Sequence, residues 1–152
     1  MEWMLMPYRR YADFNGRSRR MEYWMFTLLQ VIVGVILVLL IFGGVPTEAW
    51  SNPDAVAATM AQPGALFWIG GAIGLVWWLG SLVPSLAVTI RRLHDRDMSG
   101  WWYLGLIAVQ FVPLVNWLAS LAFLVLMFLP GTAGPNRFGL DPKDPSQAGV
   151  FA

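Results

Sequence analysis

The chain has no cysteine, a single histidine, a single lysine, and charge on only 12% of its 152 residues. Without cysteine, disulfides, thiolate metal sites and a cysteine nucleophile are excluded. With His94 as the one histidine, a zinc site built from His and Cys ligands is not expected, and no cofactor is implied. No nucleotide-binding loop, haem motif or nucleic-acid surface is present, so nucleic acid is not an expected partner. A soluble domain carries about 25% charged residues. This chain has about half of that, is 57% hydrophobic, and has a mean hydropathy of +0.57. A soluble fold of this size cannot hide so much apolar surface.

The scarce basic residues sit in three patches. Arg9, Arg10, Arg17, Arg19 and Arg20 precede the first apolar run, Arg91, Arg92 and Arg96 follow the second, and Arg137 and Lys143 follow the last. That placement predicts an all-α integral membrane protein of the bacterial inner membrane, multi-pass, with its basic segments in the cytoplasm. A first span is expected at 23–42, long enough for a hydrocarbon core of about 30 Å. A signal peptide is the competing reading, but this run is too long for an h-region and Ala55-Val56-Ala57 lies too far beyond it. Residues 43–64 hold Glu48 and Asp54 but no Lys or Arg, so they are expected outside, with a short surface helix at 54–62 introduced by Pro53. A second span is expected at 65–90, tilted or kinked at Pro84. Its Gly70, Gly74, Ser81 and Ser85 share a face that allows close helix approach.

The last apolar stretch, 101–129, is too long for one span and short for two. One crossing would put Arg137 and Lys143 outside; two return them to the cytoplasm. The break at Pro113-Leu114-Val115-Asn116 favours a hairpin of two short helices, 101–112 and 117–129. Whether it spans fully or is re-entrant stays open. The expected architecture is a four-helix transmembrane bundle with both termini cytoplasmic. It occupies residues 1–142, with 143–152 a flexible tail and the whole of 130–152 extended and partly disordered.

Three polar motifs flank the spans: F-x-G-R-x-x-R-x-E-Y-W at 14–24, R-R-L-H-D with S-G-W-W at 91–102, and P-G-x-x-G-x-N-R-F-G at 130–139. Together they resemble the small bacterial inner-membrane family known as domain of unknown function 805 (DUF805), over residues 3 to 142. The resemblance implies an integral membrane protein and implies no activity. One departure is visible. The turn before S-G-W-W usually carries Gly in that family, and here it reads Arg96-Asp97-Met98, although Asp takes positive φ less readily than Gly.

Among these residues, Glu22 at the lipid boundary needs a cationic partner, either Arg19 one turn away or Arg91 or Arg92 from the second span. Arg91 and Arg92 suit a helix C-terminus. Nine of the ten basic residues are Arg, and the guanidinium fork favours geometric pairing with carboxylates or with a phosphate. The candidate cluster is Arg17, Arg20, Glu22, Arg91, Arg92, His94, Asp95, Asn136 and Arg137, with Trp24, Trp101 and Trp102 as interface anchors. His94 and Asp95 are neighbours and cannot form a dyad on a helix. Ser99 is the expected cap of the third helix.

Three functions follow. The first is a non-enzymatic protein whose cytoplasmic cluster binds an anionic lipid headgroup or a membrane partner, as a monomer or a homo-oligomer. The second is a small oligomeric transporter or channel, with a water-lined path to Gln30 and Gln110. The third is a lipid-phosphate enzyme, in which His94, Asp95 and Glu22 would converge.

Overall fold

The structure, a computed structural model, describes residues 2–43, 45 and 47–144. All named elements among them are helical: α1 Glu2–Arg9, α2 Arg20–Phe42, a 3-10 turn at Thr47–Ser51, α3 Pro53–Ala61, α4 Ala65–Asp95, α5 Trp101–Val109 and α6 Asn116–Phe128. Two of them, α2 and α4, are long and apolar enough to cross a membrane, with mean hydropathies of 2.9 and 1.8 over their best stretches. Their side chains confirm the solvent they are built for. Leu39 is 65% exposed and Val76 72%, and continuous apolar exposure of this kind belongs in lipid.

Each helix extends past its expected bounds. α2 begins at Arg20, and α4 continues through Pro84 without a break and on to Asp95. The five added residues, Arg91 to Asp95, stay helical because Arg91, Arg92 and Asp95 are paired and the two arginines are favoured at a helix C-terminus. The helix then stops in a Schellman motif. The Asp97 N–H donates to the His94 carbonyl and the Met98 N–H to the Leu93 carbonyl, both at 3.0 Å. Asp97 takes φ +58° to do so. Asp97, within the glycine-free turn Arg96-Asp97-Met98, therefore occupies its one left-handed position. Relieving such strain is worth about 1 kcal/mol. Asp97→Gly is expected to melt above Asp97→Ala in detergent. Both lose the exposed carboxylate pair with Arg137, and only Gly loses the strain.

The chain forms two compact units, residues 28–82 and the two chain ends, 1–27 with 83–152. In the first, α2 and α4 approach closely at the expected small residues. A Cβ on Gly70 would sit 2.7 Å from Ile41 Cγ1, and one on Gly74 would sit 3.7 Å from Leu37 Cδ1. Trp77 Nε1 donates to Gln30 Oε1 at 2.7 Å, so this intramembrane amide serves helix packing. The surface helix appears as α3. Asn52 at its N-cap accepts from the Asp54 N–H at 3.1 Å, and Pro53 opens it.

In the second unit, α1 was not expected. It is short and contains Pro7, and it is held by contacts rather than propensity. Tyr8 packs edge-on to Phe26 with centroids 5.3 Å apart, and Arg19 lies over the Trp3 ring at 5.6 Å. The expected hairpin is present as α5 and α6. The N-cap of α5 is Gly100 rather than Ser99. Ser99 Oγ still accepts the Trp101 N–H at 3.4 Å, and a Cβ on Gly100 would lie 2.9 Å from Ile90 Cγ2. The segment 130–144 is not extended, which corrects that expectation. It folds in turns, with a bridge between Asn136 and Gly139, because arginines take up its carbonyls. Of the expected flexible tail, residues 145–152 lie outside the described residues.

Candidate functional site

Two buried ion-pair groups form the centre of the second unit. In one, Arg91 Nη2 donates to Glu22 Oε1 at 2.8 Å, and the other Glu22 oxygen accepts from Ser18 Oγ at 2.8 Å. Of the three partners open for Glu22, the structure takes Arg91; Arg92 pairs with Asp95, and Arg19 turns instead to the Pro142 carbonyl. In the other, Asp95 lies between two arginines. Its Oδ1 accepts Arg17 Nε at 3.0 Å and lies 2.9 Å from Arg17 Nη2, and its Oδ2 accepts Arg92 Nη1. The five side chains are 0–3% exposed. The Ser18 N–H also donates to the Arg91 carbonyl at 3.1 Å, a second tie within the first group.

Three guanidinium charges thus face two carboxylates, and backbone carbonyls take up most of the remaining donors, Arg91 Nε being buried without a partner among the described residues. Arg17 donates to the carbonyls of Thr132 and Gly134, both at 2.6 Å. Arg91 donates to those of Asp13 and Arg10. At the C-terminus of α6, where the last carbonyls lack helical partners, four in succession accept from arginines: Met127 and Leu129 from Arg92, Phe128 from Arg20 at 3.2 Å, and Pro130 from Arg96. This accounts for the preference for Arg over Lys. One planar fork spreads its donors over several fixed acceptors, which an ammonium on a flexible stem does less well.

The 130–139 motif closes over this centre. Asn136 Nδ2 donates to the His94 carbonyl at 2.9 Å and to Thr132 Oγ1 at 3.1 Å. The Thr132 N–H meets the Asp95 carbonyl at 2.9 Å. The His94 ring stacks on Phe138, with centroids 3.9 Å apart and planes 4° apart, and its Nδ1 lies 3.2 Å from the Gly16 carbonyl. Gly131 passes so close to the Asp95 carboxylate that a Cβ there would overlap both of its oxygens.

The structure therefore gathers all nine cluster residues in one unit but not at one point. Arg17, Glu22, Arg91, Arg92 and Asp95 are buried. Arg20 is exposed at the end of α6. Arg137 is exposed and pairs with Asp97 Oδ1 at 3.2 Å. The convergence of His94, Asp95 and Glu22 required by the enzyme reading does not occur, since each is bonded to different groups. The path expected by the channel reading meets Gln110 already bonded to Ser120 at 3.1 Å. Trp101 and Trp102 point outward, 77% and 59% exposed. Trp24 instead stacks on Phe128 at 4.1 Å with its Nε1 buried, so it acts as a packing residue.

Sequence reasoning missed Ser18, Arg96, Gly131 and Thr132. Only Ser18, one helical turn before Glu22, carried a readable signal. At the rim, two carboxyls are held below their ordinary range. Burial alone would raise Asp13, but hydrogen bonds from Arg10 and the Asn15 N–H outweigh it. Asp141 is lowered by the N–H groups of Lys143 and Gly134.

Residues 11–140 match the family described as "Protein of unknown function (DUF805)". The inner membrane protein YhaI of Escherichia coli (strain K12) is 38% identical over 143 residues, 94% of this chain and 97% of that protein. The inner membrane protein YhaH of the same organism is 36% identical over 143 residues, 94% of this chain and 98% of that protein. No solved structure matches the chain.

Proposed function

The chain belongs to the DUF805 family and is a bacterial inner-membrane protein; from that premise we propose that it is a non-enzymatic protein that binds anionic phospholipid headgroups at its cytoplasmic face. In this reading α2, α4, α5 and α6 form a four-helix membrane domain with both termini cytoplasmic, occupying residues 1–142. Basic residues flank the apolar helices at 9–20, 91–96 and 137–143, as the positive-inside rule requires of one face.

The observation that carries the proposal is the surplus positive charge where α6 ends. Arg20, Arg92 and Arg96 all donate to carbonyls 127–130, and among the described residues only Arg92 of the three pairs with a carboxylate, Asp95. Arg92 is buried and spent on the protein. Arg20 is exposed and commits one N–H to Phe128, which leaves most of its fork free for a phosphate. The buried pairs set the frame, and the outer arginines meet the ligand.

Native mass spectrometry in mild detergent tests this with phosphatidylglycerol and phosphatidylethanolamine as probes. The Arg20→Gln, Arg96→Gln double variant is expected to retain at least about tenfold less phosphatidylglycerol than wild type, since each lost charge-assisted contact is worth about 1.5–3 kcal/mol. Phosphatidylethanolamine retention should be unchanged, and Lys143→Gln should behave as wild type. Equal phosphatidylglycerol retention in all three proteins would overturn the proposal.

A further inference from the structure

The α5–α6 hairpin is too short to cross a bilayer and too polar at its tip to end inside one uncovered. Nine and 13 residues rise about 14 and 20 Å. Starting from the arginine-capped end of α6, the turn at 110–116 therefore lies about half to two thirds of the way through a core of about 30 Å.

That tip is unsuited to lipid. Gln110, Asn116 and Ser120 are exposed. Gln110 and Ser120 bond each other, Ser120 Oγ also reaches the Asn116 carbonyl at 2.9 Å, and Asn116 Oδ1 accepts the Trp117 N–H at 2.8 Å. The Asn116 carboxamide N–H groups, the Leu114 N–H and the carbonyls of Pro113 and Leu114 have no hydrogen bond among the described residues. Leu114 holds φ +68° and is 84% exposed, beside Phe111 at 82%. Irregular backbone at membrane depth persists only where protein or a water-lined cavity covers it.

We infer that the hairpin is re-entrant and that its tip is covered by the same tip of a second copy of this chain. The chemistry of the tip selects that occupant. Carboxamide, hydroxyl and turn backbone each offer donors and acceptors together, so the patch complements itself, as a two-fold contact requires. It carries no charge that would call for a partner of opposite sign. Phe111, Leu114 and Trp117 supply the apolar rim. The inference rests on the proposed topology, in which both ends of the hairpin lie at the cytoplasmic face.

The absence of cysteine makes the test clean. Leu114→Cys and Phe111→Cys are made separately in the full chain, with Lys143→Cys as the topology control. Membranes are oxidised with copper phenanthroline or treated with a membrane-impermeant maleimide from either side. At least one tip variant is expected to form a disulfide-linked dimer, to resist the maleimide from both faces, and to react once the membrane is dissolved in denaturant. Adding Gln110→Leu and Asn116→Leu should reduce the dimer at least about fivefold. Maleimide labelling of the tip from the periplasmic side would show a spanning hairpin and overturn the inference. Protection of both tip variants without any dimer would overturn the second copy as occupant. Labelling of Lys143→Cys from the periplasmic side would instead overturn the topology on which the inference rests.

Discussion

Asp95→Asn is expected to lower stability by about 3–5 kcal/mol, the range for removing one partner of a buried charge pair. Asp95 is 2% exposed and faces Arg17 and Arg92, each 0–1% exposed. The amide keeps the shape of the carboxylate but removes its charge, and it turns an acceptor into a donor aimed at a guanidinium. Two buried cations then share no counter-charge. They have little freedom to escape, since Arg17 is tied to Thr132 and Gly134, and Arg92 to the end of α6. Unfolding in mixed micelles with increasing SDS, followed by tryptophan fluorescence, measures the loss. A variant as stable as wild type would mean that water already screens the cluster.

The second large effect is expected from a single added methyl group. In Gly131→Ala, the new Cβ falls on the Asp95 carboxylate. Such overlaps are cheap when the neighbour is a free side-chain end, but this carboxylate is gripped on both oxygens by arginines. The backbone of 130–134 has to move away, and it takes with it the Thr132 and Gly134 carbonyls that hold Arg17. Overpacking alone costs about 1–3 kcal/mol, and the broken charge-assisted bonds add to it. Limited proteolysis reads the result directly. Cleavage within 130–144 is expected to be at least about tenfold faster than in wild type, while cleavage in the 43–64 loop stays the same. Equal rates at both places would show that the clasp tolerates the methyl.

The helices were legible because lipid imposes a simple rule on them. An apolar run of the right length becomes a span, so α2 and α4 stand where the hydropathy places them. Pro113 and Asn116 marked the hairpin break for local reasons. Two features were out of reach. α1 has neither the length nor the composition of a stable helix and exists through Tyr8–Phe26 and Arg19–Trp3, contacts made between distant positions. The cluster residues were identifiable by charge and motif, and Glu22 was expected to find Arg19, Arg91 or Arg92, of which it takes Arg91. What the arginines mainly bond was not legible, because backbone carbonyls look alike at every position in a sequence. Gly131 was unreadable for the same reason: its value lies in the side chain it lets past.

The union of the chain's two ends around Asp95 also has a consequence in time. Arg17 and the Gly134 carbonyl that it holds are 117 residues apart. At a synthesis rate of about 5–20 residues per second, roughly 6–23 s separate their emergence. Through that interval α2 and α4 can already enter the bilayer, while Arg17 still lacks the carbonyls of Thr132 and Gly134. The last fifth of the chain therefore decides when the first is finished, and a nascent chain stalled before residue 130 exposes an unclasped N-terminal segment to cellular proteases.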